Sequence, residues 1–168
     1  MRVVVMGVTG CGKSTVGMRL AHELKAQFCD GDDLHSATAI AKMAAGIALT
    51  DEDRWPWLDA VATWLEGQDR GIVACSALKR VYRDCIRDVA GDSVVFVHLA
   101  APQSVLEPRV RRRAEHDGHF APAGLLDSQY AVLEPLEADE LGGKVPVHRH
   151  SPEGATLVAR AIVESARR

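Results

Sequence analysis

Short β-branched apolar runs recur along the chain, and each is followed by a longer stretch with helical periodicity. The runs at Val3–Val5, Gln27–Cys29, Ile72–Cys75, Val94–Leu99 and Val145–His148 are apolar on consecutive rather than alternate positions. Strands covered on both faces read this way, so these are expected to be buried strands of a parallel sheet. Between them the spacing predicts helices over about Lys13–Lys25, Ser36–Ala45, Asp51–Glu66, Lys79–Val89, Gln103–Glu115 and Pro152–Ala166. Several carry their own punctuation. Gly46 follows an alanine-rich helix as a C′ residue, Thr50 with Asp53 forms a capping box with Asp in place of Glu, and Ser151-Pro152 supplies an N-cap and an N1 proline. Strands alternating with helices imply an α/β sandwich with right-handed crossovers. No repeat, low-complexity tract or linker divides the chain, so residues 1–168 are expected to form a single domain.

One segment breaks the rhythm. Residues 114–124 read AEHDGHFAPAG, glycine- and proline-punctuated, with arginines just before them. Such an insertion is either a lid, spanning about 109–125, or an ordinary surface loop.

Composition narrows the classes. Hydrophobic residues make up 47% and charged residues 26%, which fits a soluble globular protein. The formal net charge of −3 gives no basic field, so nucleic acid is not expected as a partner. No apolar stretch approaches the roughly 20 residues a spanning helix needs, and no signal-peptide pattern is present, so no membrane association is expected. Cys11, Cys29, Cys75 and Cys85 form no CxxC pair or Cys/His cluster, which argues against structural zinc and disulfides and fits a reducing cytoplasm.

The chemistry begins at residues 7–14, GVTGCGKS, which satisfy G-x-x-x-x-G-K-[ST] between a predicted strand and a predicted helix. Gly7, Gly10 and Gly12 let the backbone wrap round phosphates with its N–H groups aimed inward, and the helix adds its positive end. The ATP-binding stretch is thus Gly7, Val8, Thr9, Gly10, Cys11, Gly12, Lys13, Ser14 and Thr15. Lys13 is expected on the β- and γ-phosphates, and the Ser14 hydroxyl on Mg²⁺. Cys11, inside the loop, is either a low-pKa reactive thiol or a small space-filler pointing into the sheet. The other three cysteines are expected to be buried and slow.

A guanine reader of the Asn-Lys-x-Asp type is impossible, because the chain contains no asparagine. The runs Ile72–Cys75 and Val94–Leu99 end in Ser76 and Ala100, without the acidic residue of a motor or helicase. The strand that does end in acid runs into Asp30-Gly31-Asp32, placing two carboxylates beside the phosphate loop at the C-terminal sheet edge. Small-molecule kinases use such a pair. Asp30 is expected to hold Mg²⁺ through water, and Asp32 to accept or orient the attacking hydroxyl. The competing reading of DGDD is a helix-initiating turn.

With DGDDLH (30–35), KMAAG (42–46), LTDEDRWPWL (49–58), CSALKRVYRD (75–84) and GHF (118–120) in hand, the chain resembles the gluconokinase family from the phosphate loop to about Glu137. The stretch before GHF, with Ala114-Glu115-His116-Asp117, is longer than the usual arginine-lysine-GHF junction. The resemblance implies a nucleoside-monophosphate-kinase-like three-layer sandwich with a five-stranded parallel sheet and a small lid. It also implies production of 6-phosphogluconate from gluconate with ATP and Mg²⁺, and often a homodimer. A kinase for another small sugar acid or a shikimate-like substrate is the alternative. A nucleotide-binding regulatory protein is a third possibility, opposed by the Asp30/Asp32 pair.

Gluconate carries a carboxylate and several hydroxyls, so its site calls for cations and polar partners. Arg54, Lys79 and Arg83 are the cations in the matching segments, with Lys79 and Arg83 four apart on one helical face. His35 and Gln129 are candidate hydroxyl partners, His35 alternatively a polar cap. Arg109, Arg112 and Arg113 share a helical face, and Arg109 and Arg113 match the family's lid arginines, to clamp the phosphoryl group or stack on adenine. Trp55, Trp57 and Trp64 are read as core packing, and His148 and His150 as solvent-facing.

Overall fold

The computed structural model describes residues 1–45, 47–117 and 124–167, with the backbone alone over 113–117. Five strands form one parallel sheet: β1 (Arg2–Met6), β2 (Gln27–Asp30), β3 (Gly71–Ala74), β4 (Val95–Ala100) and β5 (Gly142–Pro146), in the order β2-β3-β1-β4-β5. Seven helices are described: α1 (Lys13–Leu24), α2 (Ala37–Ala44), α3 (Asp51–Glu66), α4 (Arg80–Ala90), α5 (Gln103–Asp117), α6 (Leu125–Val132) and α7 (Pro152–Ser165). Alternate side chains of each central strand enter opposite cores. Val3, Val5, Val95, Val97 and Leu99 pack with residues of α1, α5 and α7, while Val4, Met6, Val73 and Phe96 pack with α3 and α4. The sheet is therefore the middle of three layers, and its central strands read as unbroken apolar runs because both faces are covered.

The caps are formed as the residue types dictate. Thr50 and Asp53 make both halves of the capping box, Ser36 accepts from the Ala39 N–H at 3.1 Å, and Ser151 accepts from the Gly154 N–H at 3.2 Å. Gly46 lies outside the described residues. No described helix is long and apolar enough to cross a membrane.

Three expectations need correction. The last strand is Gly142–Pro146, not Val145–His148; Val147–Arg149 is a 3₁₀ turn that ends it. Glycines hold the ladder because Gly142 has φ 147° and a Cβ there would collide with the Phe96 carbonyl of β4. Helix α6 was not foreseen; it follows Gly124, whose φ is 85°. Of the candidate lid at about 109–125, α5 runs on to Asp117, and Gly118, His119 and Phe120 lie outside the described residues with 121–123. Third, the tryptophans do not share one environment: Trp57 is buried, Trp64 packs on the α3–α4 core, and Trp55 is exposed, edge-on to Tyr82 at 5.6 Å. His148 and His150 are both exposed.

Candidate active site

The phosphate loop leaves the C-terminal end of β1, the central strand. Gly7, Gly10 and Gly12 have φ of 143°, 77° and 95°, the region where only glycine is unstrained, and Gly12 caps α1. Val8 is buried, Thr9 half-buried and Thr15 exposed. The Lys13 ammonium donates to the Val8 carbonyl at 3.1 Å, folded across its own loop. The Ser14 hydroxyl donates to Asp30 Oδ2 at 2.5 Å, joining the loop to the end of β2.

Asp30 then begins a 3₁₀ turn, Gly31–Leu34, and its Oδ1 accepts from the Asp32 N–H at 3.2 Å. The Asp32 carboxylate is left exposed at the mouth of the loop. Gly31 fits against the end of β3 so closely that a Cβ would lie 2.6 Å from the Ala74 carbonyl oxygen. The Gly31 carbonyl accepts from the Trp57 indole N–H at 2.6 Å, and the His35 ring stacks on that indole at 4.4 Å and 11°. His35 Nδ1 is buried without a hydrogen-bond partner among the described residues. Burial lowers the His35 pKa, Asp32 opposes it and Arg54 adds to it, so the imidazole is neutral and carries an open polar atom.

Arg54 and Lys79 converge further along. The Lys79 ammonium donates to both oxygens of Asp51 at 2.9 and 3.1 Å, Tyr82 Oη donates to Asp51 Oδ1 at 2.5 Å, and Arg54 approaches the same oxygen at 3.6 Å. Both cations lie against the Tyr82 ring, at 5.9 Å for Arg54 and 5.3 Å for Lys79. The Tyr82 and Lys79 hydrogen bonds hold the Asp51 carboxyl below its ordinary range, and Asp51 raises Lys79. Asp51 and Tyr82 make polar contacts that spacing does not show, and Trp57, expected as core packing, is buried in the core but also donates a hydrogen bond. All three sit in the strings LTDEDRWPWL and CSALKRVYRD, beside the cations Arg54, Lys79 and Arg83.

Two expected gluconate partners stand elsewhere. Arg83 is fully buried, and its N–H groups go to Glu140 (2.6 and 3.0 Å), Pro135 O (3.0 Å), Glu134 O (3.2 Å), Leu78 O (3.2 Å) and Ala77 O (3.4 Å). No donor is left for a substrate carboxylate. Arg83 instead fastens α4 to the chain leading into β5, and Arg80 adds Asp139 at 2.7 Å. Burial alone would raise the Glu140 pKa, but Arg83 and the Glu137 N–H outweigh it and hold it low. Gln129 Oε1 accepts from the Thr9 N–H at 2.6 Å, which sets α6 on the phosphate loop itself.

Helix α5 also abuts the loop: a Cβ on Gly10 would lie 2.7 Å from Val110 Cγ2. Arg109 and Arg112 are exposed on that helix, with Arg109 near enough for its charge to act on the Cys11 thiol; the Arg113 side chain lies outside the described residues. Cys11 itself is buried, with Sγ 2.8 Å from where a Gly7 Cβ would be. Burial pushes its thiol up despite Lys13, so the space-filling alternative is the one realised. Cys75 is fully buried and pushed up to about 12 by that burial, whereas Cys29 and Cys85 are half-buried rather than sealed.

Residues 3–136 match the AAA-domain family. A thermosensitive gluconokinase of Escherichia coli (strain K12) is 44% identical over 141 residues, covering 82% of this chain and 73% of that protein. A gluconokinase of Gluconobacter oxydans (strain 621H) is 43% identical over 154 residues, covering 88% and 83%. The crystal structure of a gluconokinase from Sinorhizobium meliloti 1021 superposes with a TM-score of 0.88 at 40% identity, over 98% of this chain and 91% of that one. A shikimate kinase from Aquifex aeolicus, at 17% identity and a TM-score of 0.63 over 99% and 98% of the two chains, shares the fold alone.

Proposed function

The chain belongs to the gluconokinase family, and from that premise we propose that it transfers the γ-phosphoryl group of ATP to the 6-hydroxyl of D-gluconate, giving 6-phosphogluconate and ADP. The observation that carries the reading is the Ser14–Asp30 contact of 2.5 Å, because it brings the phosphate loop and the acidic turn into one site. With ATP bound, Lys13 leaves the Val8 carbonyl for the β- and γ-phosphates. A hydroxyl and a carboxylate in contact are hard oxygen donors, and they fit Mg²⁺ held by Ser14 and, through water, Asp30. Mg²⁺ supplies neutralisation of the phosphate charge when bound.

Asp32, exposed one residue beyond the buried Gly31, accepts or orients the attacking hydroxyl, with neutral His35 beside it as a hydroxyl partner. Arg54 and Lys79 receive the gluconate carboxylate. Arg109, on the helix against Gly10, faces the transferring phosphoryl group, and Arg113 is its companion. Gln129, bonded to Thr9, serves the phosphate loop rather than a gluconate hydroxyl. A cytoplasmic location is in keeping with four cysteines that form no disulfide.

A coupled assay for ADP across a dozen sugar acids and polyols with Mg·ATP tests the reading. D-Gluconate is expected to have the highest kcat/KM. A shikimate-like acid or a neutral polyol outrunning it would replace the assignment.

A further inference from the structure

We infer that Trp57 is a positioning residue that fixes the spacing between the carboxylate-binding and hydroxyl-accepting ends of the acceptor site, and thereby the chain length of the sugar acid the enzyme takes. The inference rests on the gluconate reading above. A sugar acid phosphorylated at the end opposite its carboxylate must touch both ends at once. The distance between Arg54 and the Asp32 turn is then a property of the substrate that the protein reads.

The two ends come from different elements. Asp32 stands on the short turn after β2, and Arg54 stands in the first turns of α3. What joins them is one indole. Trp57 lies three residues after Arg54, on the same side of α3, and its N–H donates to the carbonyl of Gly31, the residue immediately before Asp32. The turn has no slack on its other side, since Gly31 is already packed against the Ala74 carbonyl. The indole has none either: it is 4% exposed and sits in the core layer with Leu58, Val61 and Val73. Its outer face carries the His35 ring at 4.4 Å. Arg54 is steadied from beyond by Asp51 and the Tyr82 ring. The His35 imidazole is near enough to both Asp32 and Arg54 for each charge to act on it. The one polar atom of this buried side chain is thus satisfied by the acceptor turn itself.

The test is steady-state kinetics with Mg·ATP on the wild type and on Trp57→Phe, using D-gluconate and a five-carbon aldonate. Turnover of gluconate by the wild type tests the functional reading by itself; if it is absent, that reading and the inference both fall. If it is present, the variant decides the inference alone. Phenylalanine keeps a ring against His35 but lacks the N–H, so the turn shifts. A displacement of about 1 Å can cost about 10²-fold, so kcat for gluconate is expected to fall about 10- to 100-fold with KM for ATP nearly unchanged. The preference for the six-carbon acid, expected on the order of tenfold or more for one carbon in the wild type, should narrow towards unity. An equal loss for both acids, leaving the ratio as it was, would make Trp57 a core residue only and overturn the inference.

A second measurement needs no variant. The indole N–H resonance of Trp57 in the wild type should shift on adding gluconate, less on adding the five-carbon acid, and not with Mg·ATP alone. If Trp57→Phe does not fold, an unmoved resonance with gluconate overturns the inference.

Discussion

Lys13 is half-buried and donates its ammonium to a carbonyl of its own loop, 3.1 Å away. Replacing it therefore removes charge without opening a cavity. Lys13→Ala is expected to lower kcat about 10²- to 10³-fold while circular dichroism and the melting temperature stay near wild type. Near-normal turnover by the folded variant would remove Lys13 from phosphate binding. Its neighbour Cys11 teaches a different point. Inward-pointing N–H groups, a helix end and Lys13 all favour a thiolate, and sequence displays every one of them. Burial outweighs them, with Sγ packed beside Gly7. Side-chain direction in a loop is not a property of spacing, so spacing leaves that choice open.

At the scale of elements, Lys79 and Arg83 separate although they lie one turn apart. Lys79 is the N-cap of α4 and reaches Asp51; Arg83, inside the helix, turns into the layer beneath the 134–140 segment. Removing Arg83 takes from buried Glu140 its closest ion-pair partner and leaves it the Glu137 N–H and Arg80 at 3.7 Å; breaking a buried pair typically costs about 3–5 kcal/mol. Arg83→Met should thus lower the urea midpoint by that margin, with KM for gluconate unchanged in the protein that remains folded. A raised KM without lost stability would return Arg83 to the acceptor site. Periodicity revealed α4 but not its partner, because Glu140 lies 57 residues on and pairing at that range leaves no local signal. For the same reason the strands with unbroken Val and Ile runs were legible, and β5 was misplaced. Two glycines stand in its ladder, Gly142 where the Phe96 carbonyl leaves no room for a side chain and Gly143 close against Ile162. Helix α6 was hidden by the glycine- and proline-rich stretch before it.

For the molecule as a whole, the strand order gathers the chemistry. The ends of β1, β2 and β3 deliver the phosphate loop, the Asp30–Asp32 turn and the chain to Lys79 side by side, at the C-terminal edge where parallel sheets bind ligands. Whole-molecule stability should carry the mark of a residue outside that edge. Burial, with Lys144 and Arg83 adding to it, lowers the His98 pKa from 6.5 to about 4. The unfolded chain binds a proton that the folded one refuses, so stability is complete above about 6.5 and falls as the pH drops towards 4. The loss is on the order of 1–3 kcal/mol, measurable by urea unfolding at pH 7 and pH 4.5. His98→Leu should flatten that part of the curve; an identical slope would assign the loss to other groups.

The buckle between Arg83 and Glu140 also bears on how this sequence can change over generations. Lysine cannot stand in for Arg83, since three donors on one atom do not reach acceptors spread over Glu140 and four backbone carbonyls. Loss of either partner breaks a buried ion pair, whereas an apolar pair of matching volume is tolerable. A single substitution at either position therefore carries that cost alone, so the two positions are expected to change together, as a coupled pair.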